Sequence, residues 1–118
     1  MSGRQALGKM GEDIAVDYLE KQGYQILLRN YRCNFGEIDI IAQDKKELVF
    51  VEVKTRRNTN YGMPFESVTK VKQQRIRKVA LHYLQETRPG TFDLRFDVVS
   101  ILVEGEKSIE IEVIKNAF

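Results

Sequence analysis

The chain has 118 residues, 31% of them charged, a net charge of +2 and one cysteine, Cys33. That length supports one hydrophobic core and not two, so residues 1–118 are expected to form a single domain. A lone cysteine, expected to be a small and partly buried residue, excludes an internal disulfide or a cysteine zinc cluster. The opening residues lack a signal peptide's apolar core and no run is long enough to cross a bilayer, so a soluble, cytoplasmic protein without a membrane partner is expected.

Positions 6 to 22 carry Leu7, Met10, Gly11, Ile14 and Tyr18 at helical spacing and close on Gly23, which predicts a first helix. Tyr24 to Arg32 is rich in strand formers. Glu37 to Gln43 and Leu48 to Thr55 are apolar runs too short for helices, joined by a tight polar connection, and so predict an antiparallel hairpin at the centre of the sheet. Positions 56 to 68 contain Asn, Gly and Pro without periodicity and predict a long loop of the kind that carries function. Thr69 is placed to cap a second helix running to about Glu86, which Arg88-Pro89-Gly90 stops. Two last strands, FDLRFDVVSILV and SIEIEVI, turn near Glu104-Gly105-Glu106. The expected fold is α/β, a mixed sheet flanked by helices in the order α-β-β-β-α-β-β.

Charge is unevenly spread along this order. Between Lys54 and Lys78 stand Lys54, Arg56, Arg57, Lys70, Lys72, Arg75, Arg77 and Lys78 against one acid, Glu66. A basic middle on an otherwise acidic chain points to a polyanionic partner, with a solvated Lys- and Arg-rich helix face as the plainer alternative.

The hairpin poses the sharper question, because its apolar runs contain Glu37, Asp39, Glu52 and Lys54. Alternation puts Glu37, Asp39 and Ile41 on one face and Ile38, Ile40 and Ala42 on the other, while Phe50, Glu52 and Lys54 share a face of the next strand. A turn at Lys45-Lys46, or over Asp44 to Glu47, pairs Gln43 with Leu48, which sets Asp39 against Glu52 and Glu37 against Lys54. Opposed side chains stand about 5 Å apart at Cβ, where like charges are destabilising. A divalent cation would compensate: two carboxylates, a backbone carbonyl such as that of Val53, and waters suit Mg²⁺, or Mn²⁺ in its place. Spacing alone also allows a plain Glu37–Lys54 ion pair with Asp39 at a solvated edge.

An acid followed on the next strand by Glu-x-Lys, here Asp39 and then Glu52-Val53-Lys54, resembles the core motif of the PD-(D/E)XK, restriction-endonuclease-like superfamily. More closely, GEDIA at 11–15, NYRCNFGEIDIIA at 30–42, FVEVKTR at 50–56 and FDVV at 96–99 resemble the YraN family of uncharacterised bacterial proteins over nearly the whole chain. One departure from the superfamily pattern is Ile38, which precedes Asp39 where proline is usual. The resemblance implies a nuclease-like fold similar to Holliday-junction resolvases, with Asp39 and Glu52 as metal ligands. It further implies Lys54 as the residue that positions or activates the attacking water, and Glu12 as a further acid near the metal.

In the second helix Ile76, Val79, Ala80, Tyr83 and Leu84 form the expected buried stripe, and Lys72 and Gln73 fall on it in the first turns. Polar groups there, at a helix start, are candidates for supporting contacts to phosphate or the site; the plainer reading is a snorkelling boundary residue. Arg56, Arg57, Lys70, Arg77, Lys78 and the 58–68 loop are expected to grip a nucleic-acid backbone, DNA before RNA. Asp97 reads as structural, paired with a basic neighbour, and His82 as facing away from the site. The resolvase likeness also admits a homodimer. An adaptor that binds nucleic acid without cleaving it is the main alternative, and docking on an acidic protein or membrane is disfavoured because the helix's inward stripe is committed to the core.

Overall fold

The computed structural model describes residues 3–57, 68–105 and 108–118, residues 3–5 by backbone alone. The loop expected over 56–68 therefore lies, from 58 to 67, outside the described residues, as do Glu106 and Lys107 of the last turn. The elements are α1 (Gly3–Lys21), β1 (Gln25–Cys33), β2 (Gly36–Asp44), β3 (Glu47–Arg56), α2 (Lys70–Thr87), β4 (Asp93–Glu104) and β5 (Ser108–Ile114). This is the expected order, with ends displaced by a few residues. Local chemistry sets several ends. The Thr69 hydroxyl accepts from the Lys72 amide at 3.3 Å and caps α2, and Arg88 closes it in the left-handed region at φ 45, ahead of Pro89.

The five strands lie side by side in chain order. The pairs β1–β2, β2–β3 and β4–β5 are antiparallel, whereas β3–β4 is parallel, with α2 in the crossover that a parallel pair requires. Each helix covers one face. Under α2 lie Ile41, Leu48, Phe50, Phe96 and Val98 with the helix's own Ile76, Val79, Ala80 and Tyr83. Under α1 lie Ile40, Val49, Val51, Val99 and Ile101 with Ala15 and Leu19. The second helix therefore buries the stripe its periodicity predicts, with Leu84 packed at the margin.

Two expectations are corrected by packing. The buried side of α1 is centred on Gly11, Ala15 and Leu19, while Met10 stays at the rim, 37% exposed. Small residues decide this. A Cβ on Gly11 would overlap the Thr55 hydroxyl, so the bare backbone lets the helix settle directly on β3. Strand β2 also rolls over at Asp39: Ile40 and Ala42 join the α1 side, but Ile38 joins Ile41 on the α2 side, not Ile40 as strict alternation requires. Opposite the roll, between the Arg29–Ile40 and Tyr31–Ile38 pairs, Asn30 sits at φ 53, a left-handed conformation that asparagine tolerates.

Candidate functional site

The hairpin turns at Lys45-Lys46, Lys45 taking φ 58, and Gln43 pairs with Leu48 as expected. Ladder pairing runs from Asp44–Glu47 to Ile40–Val51 and then stops, one step short of Asp39 and Glu52. Beyond it a side chain takes over from the main chain: Asp39 Oδ2 accepts from the Val53 amide at 2.8 Å. The other carboxyl of the pair comes close here, since Asp39 and Glu52 act on each other's ionisation.

Two carboxyls brought close together away from water favour the protonated form. Asp39 is 8% exposed, and burial holds its pKa above the ordinary carboxylate range, against the lowering effect of its hydrogen bonds from Glu52 and Val53. Glu52 is pushed up to about 8, by burial first and then by the charge of Asp39. Lys54 stands close, its Nζ 4.0 Å from Glu52 Oε1. Glu12 turns toward the same place because α1 is rotated onto Gly11. Its pKa is raised, first by burial and then by Asp39, against the lowering effect of the Asn30 side chain, and it lies 3.9 Å from Arg29. Asn30 is the participant that sequence reasoning missed. Its only signal was an Asn inside a strand-forming run.

A profile described as "Uncharacterised protein family UPF0102" matches residues 11–101. The chain belongs to the UPF0102 (YraN) family. A UPF0102 protein of Syntrophus aciditrophicus is 53% identical over 94% of this chain and 87% of its own length. UPF0102 proteins of Geobacter sulfurreducens and Caldicellulosiruptor saccharolyticus are 52% and 44% identical, covering 95% and 98% of this chain and 88% and 98% of their own lengths. All four motifs read from the sequence, and with them Asp39 and Glu52, lie within the matched residues.

The residues of this UPF0102 chain suit a small divalent cation. Among the described residues no group of three or more His, Cys, Asp or Glu converges on a metal position. Mg²⁺, however, is commonly held by one or two carboxylates with waters completing its shell. Within a strand the amide and carbonyl of one residue point to the same neighbour, so the Val53 carbonyl is turned toward the opening that Asp39 bridges. Two adjoining acids with raised pKa values at that opening are the donor set such an ion would use, any proton they hold leaving as it binds.

Other expected site residues divide by location. Glu37 does not reach Lys54; β2 stays paired with β1 as far as Gly36 after leaving β3, so its carboxylate meets Arg32 at 2.7 Å instead. It still lines, with Glu52, Lys54 and Lys72, a cavity of about 200 Å³ beneath the start of α2. Lys72 is exposed there, not part of the buried stripe, and its charge acts on Glu52. Gln73 is turned back to donate to the Val68 carbonyl at 3.0 Å, so it holds the chain entering α2. The Arg77 guanidinium lies over Phe96 and Phe118, 5.1 and 5.6 Å from their ring centres, a packing role away from the carboxyls. Arg57, Lys70 and Lys78 are exposed and Arg56 half-buried.

Two residues set aside from the site have structural partners. His82 bonds the Tyr31 hydroxyl at 2.8 Å. Asp97, fully buried, binds Arg95 at 2.9 Å, the Tyr24 hydroxyl at 3.1 Å and the Asn116 amide at 3.0 Å. Burial works against the charge of Arg95, but its bonds to Asp97 and Asp44 more than offset this and raise its pKa. Among the described residues no helix is long and apolar enough to cross a membrane.

Proposed function

We propose that this chain is a metal-dependent nuclease that hydrolyses phosphodiester bonds of nucleic acid, DNA before RNA and branched or otherwise structured DNA by the resolvase likeness. One observation carries the reading: buried Asp39 and half-buried Glu52 come together at the end of an opened ladder, with Lys54 beside them. Such an arrangement costs stability unless it serves to bind a cation.

A Mg²⁺ or Mn²⁺ ion bound there would offset charge on a scissile phosphate and make a neighbouring water a better nucleophile. Asp39 and Glu52 would hold the ion, with the Val53 carbonyl as a further donor. Asp39 is itself held in place by the Val53 amide. Lys54, half-buried and facing the cavity, orients the water and offsets charge that builds on the phosphate in the transition state. Glu12, near enough for the charge of Asp39 to raise its pKa, would be a further acid beside such an ion.

A screen of duplex, single-stranded and branched oligonucleotides with Mg²⁺ or Mn²⁺ tests this, with Glu52→Ala as control. Metal-dependent cleavage that vanishes in the variant supports the reading, and cleavage that survives it points to a contaminant. A second reading, an adaptor that binds nucleic acid without cutting, draws on the lack of a three-acid metal cluster among the described residues. It predicts binding with no cleavage in any metal.

A further inference from the structure

The two sides of the carboxyl pair differ in how their cations are engaged. On the α1 side a groove carries Lys9, Arg29 and Arg32, but its arginines are neutralised: Arg29 meets Asp13 at 2.7 Å and Arg32 meets Glu37 at 2.7 Å. On the α2 side the cavity carries Lys54, Lys72 and Arg75, and among the described residues no carboxylate forms an ion pair with Lys72 or Arg75. With Lys54 already beside Glu52, Lys72 and Arg75 add positive charge that no described carboxylate contacts as an ion pair, and such an excess attracts an anion from solution.

Arg75 is also held in position. Its stem crosses Gly36, where an added Cβ would stand 3.2 Å from Arg75 Cδ and 3.3 Å from Cγ. Gly36 has φ 141, a conformation that favours glycine, so the β1–β2 connection meets α2 through its bare backbone. The stem packs on this glycine, and Arg75, exposed, lines the same cavity as Glu52 and Lys54. A planar guanidinium so anchored suits two-point binding of phosphate oxygens, and Lys72, one helical turn earlier on the same face, adds a point charge.

The geometry points to a phosphate subsite at Arg75 and Lys72, separate from the scissile position, that holds the neighbouring phosphate of the same strand. The substrate class is therefore a polynucleotide, recognised by a backbone phosphate on the α2 side, and not an isolated phosphodiester. The inference rests on the nuclease reading only for where the scissile phosphate lies.

Binding of a labelled single-stranded oligonucleotide, followed by fluorescence anisotropy across a salt series in an Asp39→Ala background, tests it without cleavage. Adding Arg75→Ala should weaken binding about tenfold and make the salt dependence shallower by about 0.7 in log–log slope, the loss of one phosphate contact. Arg75→Lys should recover part of the affinity. Arg88→Ala, the same charge change at the far end of α2, should do neither. Unchanged binding in Arg75→Ala, an equal loss in Arg88→Ala, or no oligonucleotide binding by the unsubstituted chain overturns the subsite. Binding that follows the expected pattern, without any cleavage in the metal screen, leaves the subsite standing and removes only the nuclease reading.

Discussion

The Val53 amide donates to Asp39 Oδ2 at 2.8 Å, so a side-chain carboxylate occupies the place a β2 carbonyl would take if the hairpin ladder continued. Asp39 thus has two separable roles, one in pairing the strands and one in presenting charge. Asparagine keeps an oxygen that accepts from Val53, whereas alanine leaves that amide unpaired. Asp39→Asn should unfold in urea within about 1 kcal/mol of the parent, and Asp39→Ala should lose a further 1–3 kcal/mol or so. Both should lose Mn²⁺ binding in a calorimetric titration. Equal stabilities for the two variants would show that the amide contact contributes nothing.

The raised pKa of Glu52 makes stability depend on pH. Glu52 rises from its ordinary value of 4.5 to about 8 on folding, so between those limits the folded chain binds more protons than the unfolded one. Its contribution is therefore fully present below about pH 4.5 and is lost as pH climbs through about 8. Melting temperatures measured in chelator should fall across that window, and Glu52→Gln should flatten the fall. Saturating Mg²⁺ should instead stabilise most at the high end, where no proton competes. An identical pH profile in Glu52→Gln would assign the effect elsewhere.

Glycines in the first helix should respond oppositely to the same substitution. At Gly8 an added Cβ meets nothing within 4 Å, while at Gly11 it meets Thr55, whose Cβ would lie at 2.8 Å. Gly8→Ala should stabilise by roughly 0.5–1 kcal/mol through helix propensity. Gly11→Ala should destabilise by about 1–3 kcal/mol as α1 lifts from β3. Because Glu12 follows Gly11, the second variant should also weaken Mn²⁺ affinity. Urea melts and metal titrations of the two proteins decide the matter.

At the other end of the sheet, Asp97→Ala would strand Arg95 in the interior with Asp44 and Glu47 as its remaining acid partners. Breaking a buried pair from one side costs about 3–5 kcal/mol. The expected outcome is a large loss of stability in urea with metal affinity unchanged under folding conditions. A loss below about 1 kcal/mol would mean that Asp44 and Glu47 already satisfy Arg95.

Much of this architecture follows from short-range rules that the chain carries openly. Period-two and helical patterns, the Thr69 cap and the Arg88-Pro89-Gly90 stop determine all seven elements and their order, because each depends on neighbours within a few residues. The short Lys45-Lys46 connection also determines the hairpin register, since pairing near a tight turn leaves little freedom to slip. From that register alone Asp39 and Glu52 had to approach each other.

Direction, by contrast, was decided by packing. Which side of α1 is buried depended on the contact between Gly11 and Thr55, which lie far apart in sequence, and that rotation carried Glu12 inward. The roll at Asp39, the diversion of Glu37 to Arg32 and of Arg77 to Phe96 and Phe118 arose in the same way. A sequence records its local preferences residue by residue, but a side chain's final aim is set by which distant surface it meets, and only the assembled sheet and helices supply that surface.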